Sequence, residues 1–372
     1  MREETQEPTV WAPGRVNLIG EHIDYHGLPV LPMALCRRVQ VTYRRRADRH
    51  IVAESAPYGR REFEWQAGLT PVARGDWENY LRAAAQAVAC KWGALDGVEA
   101  TVTSTLPAAA GLSSSSALLV AFALALLEAN GLTASFEELM EILPDGEQFV
   151  GTRGGGMDHA AALASQAGHA TLVEFAPLAV RHIPVPRQWS FLVAHSLQTA
   201  EKSGAARAEY NLRRAAGDQA LARLGLASYR DALALEDISK LDPGPLRDSF
   251  LHTTSEALRV RAAVRAMECS DDDAFGRLLL ASHASLRDRL RVSSPALDKL
   301  VETAMESGAL GARLTGAGFG GCVVILARRE DSARVRRGLI DRYYAGRSEF
   351  DESCHLIDAE PGPGALCSHT PA

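Results

Sequence analysis

The spacing of hydrophobic positions changes along the chain. Val98, Ala100 and Val102 alternate with Glu99, Thr101 and Thr103, the two-residue repeat of a strand with one face in a core. From 114 to 129 the residues are apolar on nearly every side, which predicts a helix buried all round. Arg38–Tyr43 and His50–Ala53 read as strands about a charged turn, 78–91 as a helix, and 169–174 and 190–196 as strands. Beyond residue 204 helical spacing dominates, at 204–223, 254–268, 272–289 and 295–306, and strands return at 322–327 and 354–357. Pro184-Val185-Pro186 and Asp242-Pro243-Gly244-Pro245 mark turns or extended connections. Strands and helices are mixed without steady alternation, so the expected class is α+β.

At 372 residues the chain can hold two cores, and a division near 196 gives units 1–196 and 197–372. A composition 47% hydrophobic and 23% charged fits a globular chain. The net charge of −6 argues against a nucleic-acid surface, which needs a basic face. Met1–Pro8 is Glu-rich and has neither a positive nor an apolar region, unlike a secretory signal. The most apolar run, Ala117–Leu127, is cut off by Glu128, too short to span a bilayer. Cysteines at 36, 90, 269, 322, 354 and 367 form no CxxC pair, which fits free thiols in a reducing compartment. The expectation is a cytoplasmic monomer without membrane or nucleic-acid partners.

The chemistry concentrates in four segments. Ala12–Tyr25 carries Arg15, Asn17, Glu21, His22 and Asp24 between glycines, with Val16, Leu18 and Ile19 to anchor it. Such polar groups can converge on a small, hydroxyl-rich molecule, because carboxylates accept from hydroxyls and imidazole donates or accepts. A core strand would not hold Arg15, Glu21 and Asp24 without partners, so the segment is expected to bend. Pro107–Ala117 places Gly111 and then Ser113–Ser116 at a helix start, where unpaired N–H groups and the helix dipole favour a phosphate; a plain serine cap is the alternative. Gly154–Asp158 presents an acid on a bare turn, as a catalytic group or as a helix cap. Leu314–Cys322 sets four glycines before an apolar strand, where backbone can approach a ligand closely or turn a hairpin.

None of the four lysines (91, 202, 240, 299) stands in a GxxxxGK[ST] pattern, so a Walker-type nucleotide loop is excluded. His22 and His26 have a helical metal-ligand spacing, but Gly20 and Gly27-Leu28-Pro29 argue against a helix there.

Taken in order, Ala12–Tyr25, Pro107–Ala117 and Leu314–Cys322 resemble the three motifs of the GHMP small-molecule kinases. Within these the chain is similar to the galactokinase and N-acetylgalactosamine kinase family. Weaker echoes lie at Trp77–Tyr80, Gly155–Asp158, Glu209–Asn211 and His283–Pro295. The resemblance implies an N-terminal domain like ribosomal protein S5 and a ferredoxin-like C-terminal domain. It implies that Ala109, Ala110, Gly111, Leu112, Ser113, Ser114 and Ser115 hold ATP phosphates, with Ser115 and Glu147 on Mg²⁺. Asp158 is implied as catalytic base with Arg15 beside it, and Glu21, His22, Asp24, Gly155 and Tyr210 as sugar contacts together with Arg15 and Asp158.

The implied reaction is ATP-dependent phosphorylation of the anomeric hydroxyl of galactose. Ile23, the four-serine loop and Gly154–Gly156 lean instead toward N-acetylgalactosamine, while Glu209-Tyr210-Asn211 with Arg213-Arg214 leans back. A non-catalytic sugar sensor is a further alternative. Two departures stand out: Ala109 where the family has Gly, and Glu147 one residue closer to Asp158 than is usual in galactokinases. From the residues alone, Glu147 also reads as a solvated helix carboxylate and Tyr210 as a helix-face aromatic.

Overall fold

The computed structural model describes residues 7–66, 68–93, 95–107, 111–151, 154–199, 205–235 and 237–366. Strands β1 (Thr9–Ile19), β2 (Leu31–Arg45), β3 (His50–Ser55), β4 (Gly59–Glu64) and β5 (Val98–Ser104) form one sheet in the order β1-β2-β5-β3-β4. Only the β3–β5 pair is parallel. Helices α1 (Glu78–Trp92), α2 (Ser114–Ala129), α3 (Phe136–Phe149) and α4 (Met157–Ala164) belong to this half, and α2 packs on β1 and β2. β5 and α2 have the bounds their apolar patterns predict. α2 buries Leu119, Phe122 and Leu126 completely, and cutting Leu119 back to Ala would cost about 2–5 kcal/mol.

A hairpin of β6 (His169–Phe175) and β7 (Leu178–Pro184) follows, then β8 (Trp189–His195). The helices α5 (Ala205–Leu224), α6 (Tyr229–Ala232), α7 (Pro245–Glu268), α8 (Asp272–Ser285) and α9 (Pro295–Glu306) come next. The chain ends in β9 (Gly311–Thr315), β10 (Cys322–Arg328), α10 (Ser332–Leu339), α11 (Glu352–His355) and β11 (Leu356–Asp358). The second sheet runs β11-β8-β10-β9, all antiparallel. Along β10, Val323 and Ile325 face a core with Leu300 and Tyr344, while Val324 and Leu326 face a larger one with Phe275. Burial on both faces is why this strand is apolar without alternation. At one point α8 lies bare backbone against β9: a Cβ on Gly276 would stand 2.2 Å from Leu310 O, and one on Gly311 2.4 Å from Gly276 O.

The α+β class holds, with differences in detail. The segment expected to bend is a strand as far as Ile19, with bulges between Pro13 and Arg15 and between Asn17 and Ile19; the turn begins only afterwards. α7 starts at Pro245, whose missing N–H suits a first helical turn. α8 stops at Ser285 and passes into a π turn, Leu286–Leu290. Of the strand expected at 354–357 only Leu356–Asp358 forms, after the short turn of α11. β4, β7 and β9 were not foreseen.

Candidate active site

The segments singled out in the sequence meet around one cavity of about 660 Å³, a size suited to small molecules. β1 delivers Arg15, the turn after it Glu21, His22 and Asp24, the start of α2 Ser113 and Ser115, and the start of α4 Asp158. Gly155, Tyr210 on α5 and the Thr315–Gly318 loop add to the wall.

Arg15 is tolerated in a strand because its donors are matched. Its Nε donates to Asp158 Oδ1 at 2.6 Å and its Nη1 to Gly111 O at 2.9 Å, while its backbone N–H reaches Leu112 O at 3.1 Å. The other Asp158 oxygen accepts from the hydroxyls of Ser113 and, at 3.4 Å, Ser116. Burial alone would raise the Asp158 carboxyl, but the Arg15 guanidinium and the Ser113 hydroxyl hold it below the ordinary range. It is therefore an ionised carboxylate at neutral pH. Asp158 sits in the first turn of α4, but Gly156, not Asp158, is the cap residue.

The phosphate-type loop keeps its expected shape at the positions described. Gly111 (φ +72) and Ser113 (φ +56) are both left-handed, and Ser113 is the cap residue of α2. Leu112 has its side chain in the core and its carbonyl on Arg15. Ser115 lines the cavity; Ser114 opens α2 but does not line it. Ala109 and Ala110 lie outside the described residues, as does the Glu147 side chain, whose backbone belongs to α3.

Glu21 is buried and ties the turn to the glycine loop. Its Oε1 accepts the Gly316 N–H at 2.6 Å and the Thr315 hydroxyl at 3.3 Å, and lies 3.3 Å from Arg313 Nη2. His22, at φ +61, has Nε2 3.1 Å from Ala317 O and Nδ1 3.0 Å from the Tyr25 hydroxyl. Burial, then the nearby His252, pushes this imidazole down to about 3, so it is neutral. A carbonyl only accepts, so Nε2 carries the proton and Nδ1 accepts from Tyr25. Both ring nitrogens of His22 are thus engaged within the protein, and its ring packs against Tyr210 at 5.0 Å.

Asp24 Oδ2 accepts the Gly155 N–H at 3.1 Å. Burial, and then the charges of Asp158 and Glu21, raises the Asp24 carboxyl to about 7. Gly155 is required there, since a Cβ would lie 2.3 Å from both Asp24 C and Tyr25 N.

Sequence reasoning missed part of the wall. Pro71, Val72, Arg74 and Asp76 line one end, beside Asn79 and Tyr80. Asn79 pins that loop, donating to Ala73 O at 3.0 Å and accepting from Val72 N at 2.8 Å. Its place in the Trp77–Tyr80 echo was the one available signal. Arg313, His252 and Glu256, behind the turn, had none.

Family models match in three places: GHMP kinases N terminal domain over residues 79–166, GHMP kinases C terminal over 260–345, and the galactokinase galactose-binding signature over 2–45. The fold and the cavity are those of a small-molecule kinase of the GHMP type. The chain is 37% identical to a galactokinase of Roseiflexus sp. (strain RS-1), covering 94% of this chain and 91% of that one. It is 35% identical to a galactokinase of Streptomyces coelicolor, covering 96% and 93%. The crystal structure of Lactococcus lactis galactokinase complexed with galactose superposes with a TM-score of 0.86 at 26% identity, covering 96% and 95%. The chain belongs to the galactokinase family of the GHMP kinases. The Methanococcus jannaschii mevalonate kinase, at 16% identity and a TM-score of 0.65, shares the fold.

Proposed function

We propose that the protein phosphorylates the anomeric hydroxyl of galactose with ATP, giving galactose 1-phosphate and ADP. The observation that carries this reading is the Arg15–Asp158 pair, which opens on the same cavity as Glu21, Asp24 and Tyr210 and as Ser113 and Ser115.

Phosphoryl transfer passes through a loose transition state, so positioning and charge stabilisation do most of the work. Asp158, held ionised by Arg15, accepts a hydrogen bond from the anomeric hydroxyl, orients it in line and takes its proton as the bond to phosphorus forms. Arg15 also steadies the phosphoryl oxygens, since a guanidinium presents several donors in a fixed fork. Asp24 and Glu21 face the remaining sugar hydroxyls, Tyr210 offers its ring and hydroxyl, and Gly155 lets the sugar lie close to the backbone. The backbone at 111–115 and the hydroxyls of Ser113 and Ser115 cradle the phosphates at the α2 entrance.

Magnesium suits this donor set. It takes hard oxygens, keeps water, and usually leans on phosphates plus one or two protein ligands. Among the described residues no cluster of three His, Cys, Asp or Glu could cage a metal, and the Ser115 hydroxyl would hold the ion, with Glu147 as its acidic partner. When bound, the ion neutralises phosphate charge.

Among the described residues no helix is long and apolar enough to cross a membrane, and the cysteines at 36, 90, 269, 322 and 354 form no disulfide. Unpaired cysteines accord with a reducing cytoplasm, where we place the enzyme as a monomer.

The test is ADP release with galactose, N-acetylgalactosamine, glucose and arabinose at fixed ATP. Galactose is expected to give the highest kcat/KM. Preference for N-acetylgalactosamine would reassign the substrate, and binding of sugar and ATP without turnover would make the protein a sensor.

A further inference from the structure

The backbone at the end of β1 is held by polar side chains that the cavity does not use. Arg313 Nη1 donates to Asn17 O at 3.1 Å and to Leu18 O at 2.8 Å. Glu256 Oε1 accepts the Gly20 N–H at 3.0 Å, and His252 Nε2 lies 3.0 Å from Glu21 O. His252 and Glu256 stand four apart on α7, hence on one face, and both are completely buried.

This burial is compensated group by group. Glu256 Oε1 also accepts the Ser282 hydroxyl at 2.7 Å, and its Oε2 lies 2.7 Å from Arg259 Nε. His252 must carry its proton on Nε2, because its partner there is a carbonyl. Its Nδ1 then accepts the Ser285 hydroxyl at 2.9 Å, so the Glu21 carbonyl fixes the tautomer and Ser285 satisfies the nitrogen left over.

What these groups hold is a strained turn. Gly20 has φ +108 and His22 φ +61. A non-glycine residue keeps a left-handed backbone only where its surroundings over-determine it. From one side the turn is tied by the Gly316 N–H on Glu21; from the other it has α7. Neither His252 nor Glu256 lines the cavity.

We infer that His252 and Glu256 make α7 a positioning clamp for the sugar-facing turn, holding Gly20–His22 in the conformation that presents Glu21 and Asp24 to the sugar. The inference rests on the galactose-kinase reading of that cavity. Loss of the clamp falls on sugar binding and leaves the nucleotide end, built on α2, unchanged.

The experiment is steady-state kinetics on wild type, H252L, H252Q and S285A, varying galactose at saturating ATP and ATP at saturating galactose, with Tm for each. H252L is expected to raise the galactose KM about tenfold, the scale of one lost hydrogen bond, with the ATP KM held to about twofold. H252Q, whose amide N–H can reach Glu21 O, recovers most of that loss. S285A shifts the galactose KM the same way by a smaller factor, with a modest fall in Tm from the unpaired Nδ1. A galactose KM unchanged in H252L while Tm falls, or H252Q no better than H252L, overturns the clamp. If H252L does not fold, an unchanged galactose KM in S285A overturns it and a raised one supports it. Wild-type protein that turns over no galactose defeats the functional reading itself.

Discussion

Arg15 and Asp158, 143 residues apart in sequence, meet with Nε 2.6 Å from Oδ1. One residue comes from a strand and the other from a helix start, so the pair exists only once β1 and α4 are both in place. Replacing Asp158 with Asn preserves shape and removes the charge. Turnover is expected to fall by about 10²–10⁴-fold, the range for a positioned general base, while calorimetry still detects sugar and ATP binding. A variant with near-normal turnover would remove Asp158 from the mechanism.

Replacing Arg15 with Met leaves a buried carboxylate without its main partner. The expected cost is about 3–5 kcal/mol in urea unfolding, and adding Asp158→Asn to it should restore part of that loss. The sign with pH follows from the depressed Asp158 value. Its stabilisation is present above the unfolded carboxyl pKa of ~3.9 and is lost as pH falls through the lower folded value. Wild-type protein should therefore need more acid to unfold than the Met variant. Identical acid midpoints would contradict this account.

Asp24 behaves in the opposite sense. With its carboxyl raised to about 7, its contribution to stability is fully present below ~3.9 and is lost as pH rises through about 7. Asp24→Asn should gain stability relative to wild type between pH 5 and pH 8. Sugar hydroxyls donate to the ionised form, so the wild-type galactose KM should fall as pH rises through neutrality, and the Asn variant should lose that dependence. A flat wild-type profile would show that Asp24 does not titrate against the sugar.

Gly155→Ala tests the close approach of two loops. The new methyl would meet the Asp24–Tyr25 peptide at 2.3 Å, backbone that cannot swing aside, and overpacking of this kind costs about 1–3 kcal/mol. The galactose KM should rise along with a lower Tm. A crystal structure of the variant with Asp24 unmoved would be the contrary result.

Much of this was legible because local pattern and tertiary role agreed. β5 and α2 were bounded correctly since alternation and an all-apolar stretch have few other readings. Arg15, Asp24, Ser113, Gly155 and Asp158 were readable because glycines and charges among apolar residues need an explanation. β1 was not read as a strand, because Arg15 looks intolerable there until partners from residues 111–113 and 158 are supplied. β9 hid for a related reason: Arg313 is completely buried, yet an arginine in a short segment reads as surface. His252 precedes the helix that the spacing predicts at 254–268 and Glu256 opens it, and only the packing of α7 behind the β1 turn gives them a role.

The bare seam between Gly276 and Gly311 carries a warning for anyone sorting variants by distance from the chemistry. Any side chain there would wedge α8 away from β9, and β9 runs directly into Thr315 and the Glu21-bound Gly316. The injury would travel along the strand and surface as poor catalysis, so a substitution filed as remote would be scored as an active-site lesion unless folding were measured alongside.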